Sequence, residues 1–414
     1  MQFLAKVSGL IFLILLSCSD PDIAKDPEPQ ENGPLGAIPP EVEPDVIVSE
    51  RATKICQLVG ETDRQLNETV INQTYSRYGL YATDLGVPFE YRDTTYILFG
   101  DSWGVVSGLV DAFAWTTDEI PEDGLQLEFI TDNNGYFYPV TIPGISQAGF
   151  EVPVEGVEVN GRMYIYHTTG HDPPGTKMGR SVLARADDAG KKSFSFLYTL
   201  SDKYFINVSL VKADASDWDH LPEISGEVHF IFGSGKYRES LVYLAVQAAA
   251  QIEDREKIMY FAGLDGDGNP VWSRNEEYSL PLFKKDNPCV GELSVSYNPF
   301  MKRWILLYNC HDPRGIMIRT SKYPWGPWSA AQLLFQPWND NGYCNFIHTS
   351  WEYNKCDSLS DPGREYEWGG EYGPYQFEYY AAGDQTSTTI YFTLSTWNPY
   401  TVVLMKAILS PDPF

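Results

Sequence analysis

The chain reads as an all-β protein, a five-bladed β-propeller preceded by an export signal and a tether. Three observations predict this. From residue 50 onward no long 3.6-residue apolar period occurs; short β-branched and aromatic runs are broken by Gly, Pro, Asn and Asp. Five of these runs, at 96–99, 163–166, 228–232, 304–308 and 390–394, each end in a small or polar cluster, and their starts lie 67, 65, 76 and 86 residues apart. That spacing suits one four-stranded blade with its loops. Finally, Asp84 and Asp101, Glu151 and Thr168, and Glu292 and Asn309 each stand 17 residues apart across a strand, a turn and a second strand. A large β-sandwich, or a pair of them, is the competing architecture.

The first element is the N-terminus. Lys6 precedes an apolar run over 10–16, followed by Ser17 and Cys18. The run is shorter than the ~20 residues a membrane span needs. Its Leu15-Leu16-Ser17-Cys18 ending has the form of a lipobox, so 1–17 is expected to be a lipoprotein signal peptide and Cys18 the lipidated first residue of the mature chain. An ordinary signal peptide with an incidental Cys is the plainer alternative. Residues 18–48 are rich in Pro, Glu and Asp and are expected to form a solvated tether. These features predict a bacterial envelope protein, anchored to the outer membrane through Cys18.

Residues 49–414 then form the propeller domain. Hydrophobic residues make up 43% of the 414-residue chain and aromatic residues 14%, enough for a sizeable core and for stacking platforms. A formal net charge of −26 excludes nucleic acid, which demands cationic phosphate contacts. A neutral polysaccharide is the expected partner, and the protein is expected to be a monomer. Five cysteines remain after Cys18; Cys289 with Cys310 and Cys344 with Cys356 are the expected pairs, leaving Cys56 free.

If the five marked runs are second strands of their blades, the innermost strands begin near Asp84, Glu151, Asn207, Glu292 and Tyr372. Three of these five bring a carboxylate to the axis. Gathered acidic groups are costly unless a proton, a cation or a reaction uses them.

The segments YATDLGVPFEYRDTTYILFGDS, GELSVSYNPFMKRWILLYNC, GIMIRTSKYPWGPWS and YFTLSTWNPYTVVLM resemble the family catalogued as domain of unknown function 4185, now grouped with glycoside hydrolase family 183. The resemblance runs from about Tyr78 to the C-terminus. It implies a five-bladed propeller and, for characterised members, endo-acting cleavage of D-arabinan, the furanose polymer of mycobacterial cell walls.

Glycoside hydrolysis generally needs two carboxyl groups flanking the scissile bond. Asp84 is the expected nucleophile or base and Glu292 the expected general acid, its setting beside Cys289-Val290-Gly291 favouring a raised pKa. Asp101 is expected to stabilise charge or to orient Asp84. Glu151, Trp103, His167, His171, Asp172, His311, Asp312 and Arg314 are the expected substrate-binding residues. Each carboxylate has an ordinary alternative as a turn cap accepting backbone N–H groups. Asp265-Gly266-Asp267-Gly268-Asn269 has a calcium-loop look, but Pro270 stands where the sharp turn needs Gly, so a hairpin turn is expected. Trp325-Gly326-Pro327-Trp328 is expected as a packing corner. No catalytic metal or cofactor is expected, although the channel leaves room for a single structural cation. No phosphate-binding Gly-rich loop or G-x-S-x-G elbow occurs. Two other readings stay open: a surface lipoprotein that binds glycans without turnover, and a glycosidase acting on another furanoside polymer.

Overall fold

The structure is a computed structural model that describes residues 35–413 except 107, 109, 174 and 188–190. Five antiparallel sheets of four or five strands follow one another along the chain. Their innermost strands are Leu80–Tyr91, Pro153–Val159, Asn207–Asp214, Leu293–Asn298 and Gly370–Gln376, and each next strand outward follows it in sequence. All five apolar runs picked out by their spacing are second strands: Thr94–Gly104, Arg162–Thr169, Glu227–Ser234, Arg303–His311 and Thr388–Trp397. They are buried on both faces between neighbouring blades, which is why they read as continuous apolar runs rather than alternating ones.

Backbone N–H groups of the inner strands reach side chains of the neighbouring blade. Leu210 N–H donates to Glu155 Oε2 at 2.7 Å, Val295 N–H to Ser209 Oγ at 2.9 Å, and Leu85 N–H to Ser395 Oγ at 2.7 Å. These are backbone donors that no strand partner reaches, since innermost strands have a free edge at the axis. The last blade closes the ring: Val46–Gln57, from the beginning of the described chain, pairs with Thr401–Pro411 as its outer strand.

The stretch before that strand departs from expectation. Residues 37–48 lie on the propeller instead of forming a solvated tether. Ala37 bridges Leu264, Val42 bridges Ser329, and Glu41 accepts from the buried Arg319 guanidinium at 2.5 Å. Glu41 and Asp45, two of the acidic residues that suggested solvation, pair here with Arg319 and Arg303. The signal segment, Cys18 and the tether up to residue 34 lie outside the described residues. Among the described residues no helix is long and apolar enough to cross a membrane.

Cys289–Cys310 and Cys344–Cys356 are disulfides and Cys56 is free. Asp265 caps a hairpin turn by accepting from the N–H groups of Asp267 and Asn269. Trp325 and Trp328 are buried corner residues.

Candidate active site

At one mouth of the axis the inner strands and their adjoining loops enclose a cleft of about 440 Å³. A separate cavity of about 410 Å³ opens at the other mouth, and Tyr375, buried on the axis, lines both. In that second cavity Glu155 is spent on the N–H groups of Gly156 and Leu210.

Asp84 enters the cleft from the first inner strand. That strand is interrupted around it: pairing shifts register on either side of Asp84, and Leu85 and Gly86 take φ of 64° and 86°. Such a bulge re-aims a side chain, and a left-handed Leu is strain concentrated beside a site. Gly100 faces Asp84 across the hairpin; a Cβ there would stand 2.9 Å from Asp84 Oδ1 and 2.6 Å from Val152. The small residue makes room for the carboxylate. Asp84 Oδ2 accepts from Tyr372 O–H at 2.9 Å, while Oδ1 is buried without a partner. Burial raises its pKa well above the carboxylate range, the Asp101 charge adds to this, and the phenols of Tyr400 and Tyr372 oppose it.

Glu292 immediately precedes the fourth inner strand, and its Oε2 is likewise shut from solvent without a partner. Burial raises its pKa, against the pull of Arg238 and of hydrogen bonds from Tyr237 and Asn309. Gly291 allows the approach, since a Cβ there would lie 2.3 Å from Asn309 Oδ1. The 17-residue spacing has its explanation in this hairpin: Asn309 N–H donates to Glu292 C=O at 3.2 Å.

Asp101 is a third carboxyl in the same cleft. Both its oxygens accept from Phe150 N–H at 3.0 Å, its φ is 40°, and burial pushes it up to about 6. A fourth, Glu371, is held by a two-pronged pair with Arg314, at 3.1 and 2.8 Å.

The other expected contacts are distributed differently. His171 lines the cleft; its Nδ1 accepts from Gly179 N–H and its buried Nε2 is free, with burial holding its pKa below the usual value. Glu151 is not a cleft residue. Its carboxylate accepts from the N–H groups of Ala148, Gly170 and His171, which together outweigh burial and lower its pKa. It is a loop clasp, the turn-capping alternative. His167 is fully buried behind the cleft, its Nε2 2.8 Å from Asp111. Asp172 caps its own turn through Thr176 and Lys177. His311 and Asp312 are exposed on the far end of their hairpin, and Arg314 reaches the site only through Glu371. Trp103 stands in a neighbouring groove with Tyr75 and Tyr81, and Tyr400 lines both that groove and the cleft. The second-blade loop that was expected to touch substrate has turned most of its polar groups onto its own backbone.

Sequence reasoning missed Tyr237, Arg238, Glu371 and Tyr400, and noted Tyr372 only as a strand start. Tyr237 and Arg238 follow Gly233-Ser234, the polar end of the third marked run, so the same position rule that flagged His167 in the second blade points to them. Arg238 Nε is buried without a partner. Tyr400 has no such signal, since a strand-turn position gives no direction. Among the described residues one cluster has ligand-type atoms near one another, Cys344, Cys356 and Asp357, and both thiols there are consumed by the disulfide.

The model of the family "Domain of unknown function (DUF4185)" matches residues 69–406. No curated protein matches the chain. A candidate hydrolase from Bacteroides ovatus is similar in structure, with a TM-score of 0.50 and 12% identity over 81% of this chain and 87% of that one. At that identity the likeness concerns the fold. The GH43_1 enzyme from Xanthomonas citri, complexed with xylotriose, aligns at a TM-score of 0.42 and 13% identity, covering 80% of this chain and 87% of its own. The catalytic domain of Coprinopsis cinerea GH62 alpha-L-arabinofuranosidase aligns at 0.43 and 10%, covering 88% and 98%.

Proposed function

The chain belongs to the DUF4185 family, and from that premise we propose that it is a glycoside hydrolase using Asp84 and Glu292. One observation carries the reading. Two carboxyls from different blades line one cleft, and each has an oxygen withdrawn from water and left without a partner, Asp84 Oδ1 and Glu292 Oε2. An unsatisfied buried oxygen costs about 1–3 kcal/mol, and two in one cleft suggest partners that arrive with a substrate.

The roles follow from the surroundings. Asp84 Oδ2 accepts a hydrogen bond from the Tyr372 phenol, which supports the ionised form that a nucleophile or base needs. Burial raises the pKa of both carboxyls, and at Asp84 the Tyr372 hydrogen bond opposes it; Glu292 is the carboxyl assigned to protonate the departing glycosidic oxygen. Asp101 keeps negative charge beside Asp84 and so helps hold its pKa up. Trp397 and Tyr400 offer ring faces to the sugar.

The finer reading is endo-acting cleavage of D-arabinan. Its support is the family resemblance, together with the Trp103 groove that lies beside the cleft and shares Tyr400 with it. Attachment to the bacterial envelope through Cys18 and action as a monomer complete the proposal. Purified mycobacterial arabinogalactan is the test substrate. A ladder of arabino-oligosaccharides from the wild type is expected, reduced by about 10²-fold or more in Asp84→Asn and in Glu292→Gln. A ladder that survives both changes in folded protein would remove these two residues from the mechanism. No ladder from the wild type, on this or other furanoside polymers, would remove the activity.

A further inference from the structure

Residues 336–369 connect the fourth and fifth blades and are far longer than a blade connection requires. The segment is held as a fixed platform. Cys344–Cys356 staples it, and the buried His348 is gripped from both sides, by Asp357 Oδ1 at 2.5 Å and by Glu365 C=O at 2.9 Å. Yet this braced loop leaves large rings in solvent: Trp338, Tyr353 and Trp368 are 49%, 77% and 42% exposed. They are one cluster. Tyr353 and Trp368 centroids lie 5.3 Å apart, Trp368 and Tyr343 5.0 Å, and Tyr343 and Trp338 6.4 Å. Together with Thr349 and Asn354 the rings border an open groove of about 560 Å³.

The groove neighbours the catalytic cleft across the Arg314–Glu371 pair. Arg314, on its border, donates to Gly369 C=O at 3.1 Å and to Glu371 at 2.8 Å, and Gly370 and Glu371 line the cleft itself. We propose that the Trp338–Tyr353–Trp368 groove is a distal subsite that holds a neutral polysaccharide chain whose reacting part lies in the cleft. The identity of the ligand rests on the hydrolase reading above. Flat apolar faces alternating with amide and hydroxyl groups match the two faces of a sugar ring, apolar C–H and polar O–H. A polyanion is disfavoured here: Arg314 at the groove is already paired with Glu371, and the chain as a whole is strongly acidic. An exposed ring cluster on a rigid loop also binds with little ordering cost.

The test compares the wild type with Tyr353→Ala and with the Trp338→Ala/Trp368→Ala double variant on two substrates, arabinogalactan and a D-arabinofuranosyl tetrasaccharide too short to span both sites. Retardation in native gels containing arabinogalactan is read in parallel. Tyr353, the most exposed ring, guards against a folding artefact in the double variant. The expected result is a KM for the polymer raised about fivefold or more, with weaker retardation, and tetrasaccharide turnover unchanged. Equal kinetics and retardation on both substrates in all variants would overturn the subsite and leave the hydrolase standing. A wild type that binds the polymer through these rings but cleaves nothing would keep the subsite and overturn the hydrolase. A wild type that neither binds nor cleaves the polymer overturns both.

Discussion

Tyr372→Phe is the most incisive change to the proposed mechanism, because it removes one oxygen and one hydrogen bond while keeping the ring. The phenol donates to Asp84 Oδ2 at 2.9 Å. A hydrogen bond to a charged group contributes about 1.5–3 kcal/mol and one to a neutral carboxyl about 0.5–1.5 kcal/mol, so roughly 1–1.5 kcal/mol of it favours the ionised carboxylate. Burial and the Asp101 charge already raise the Asp84 pKa, so the loss adds to an existing bias toward the neutral form. Less of Asp84 is then charged at any pH on the acid limb of kcat. The limb moves to higher pH, and at a fixed pH on it the rate falls roughly 5- to 13-fold. On the alkaline side of the limb the loss shrinks toward zero. The stability effect has its own sign. A carboxyl whose folded pKa lies above its unfolded one subtracts stability as pH rises, so the variant should lose more than the wild type between acid and neutral pH. The assay is a pH–rate profile on arabinogalactan with circular dichroism to confirm folding. An acid limb that stays in place, with kcat lowered equally at every pH, would refute the assignment of Asp84 as the group that must be charged.

Three further expectations concern the frame around the site. Glu151→Gln should lower the melting temperature and loosen the 146–171 loops, because the carboxylate accepts from three backbone N–H groups; a pH–rate profile unchanged in shape is expected, and a shifted limb would return Glu151 to the chemistry. His229 is buried with both ring nitrogens unpartnered and its pKa is depressed from 6.5 to about 3. The unfolded chain binds that proton first, so stability falls as pH drops from about 6.5 toward 3; His229→Leu should flatten that slope in denaturant titrations, and an unchanged slope would assign the acid loss elsewhere. Glu41→Ala should cost about 1 kcal/mol in urea unfolding, because Arg319 is buried but Glu41 itself is half-exposed; no loss would mean that the 37–48 segment does not stabilise the propeller.

Much of the fold was legible in the chain because a propeller repeats one local pattern. The second strand of each blade is buried on both faces, so it must be a continuous apolar run, and five such runs at blade spacing survive any divergence of the individual residues. The 17-residue offset of Glu292 and Asn309 is likewise a hairpin length that register enforces, whereas at Asp84 the bulge sets Gly100 opposite and leaves Asp101 one residue on. From these two local rules the inner-strand carboxyls could be placed near one axis, and Asp84, Asp101 and Glu292 do share a cleft.

What no local rule contains is where a side chain turns once other parts of the chain arrive. Glu151 has the same strand-start position as Asp84, yet a loop returning 19 and 20 residues later presents Gly170 and His171 N–H groups and consumes it. Glu371 is met by Arg314 from the preceding blade, and Asp84 by Tyr372 from the last one, 288 residues away. The acidic stretch before residue 48 would be a solvated tether by composition, but Arg303 and Arg319 give its carboxylates partners that local composition does not reveal. Blade spacing and hairpin length are one-dimensional quantities, written along the chain. The protonation and partners of a buried carboxyl depend on desolvation and on charges brought from other blades, and only the closed ring of sheets decides those.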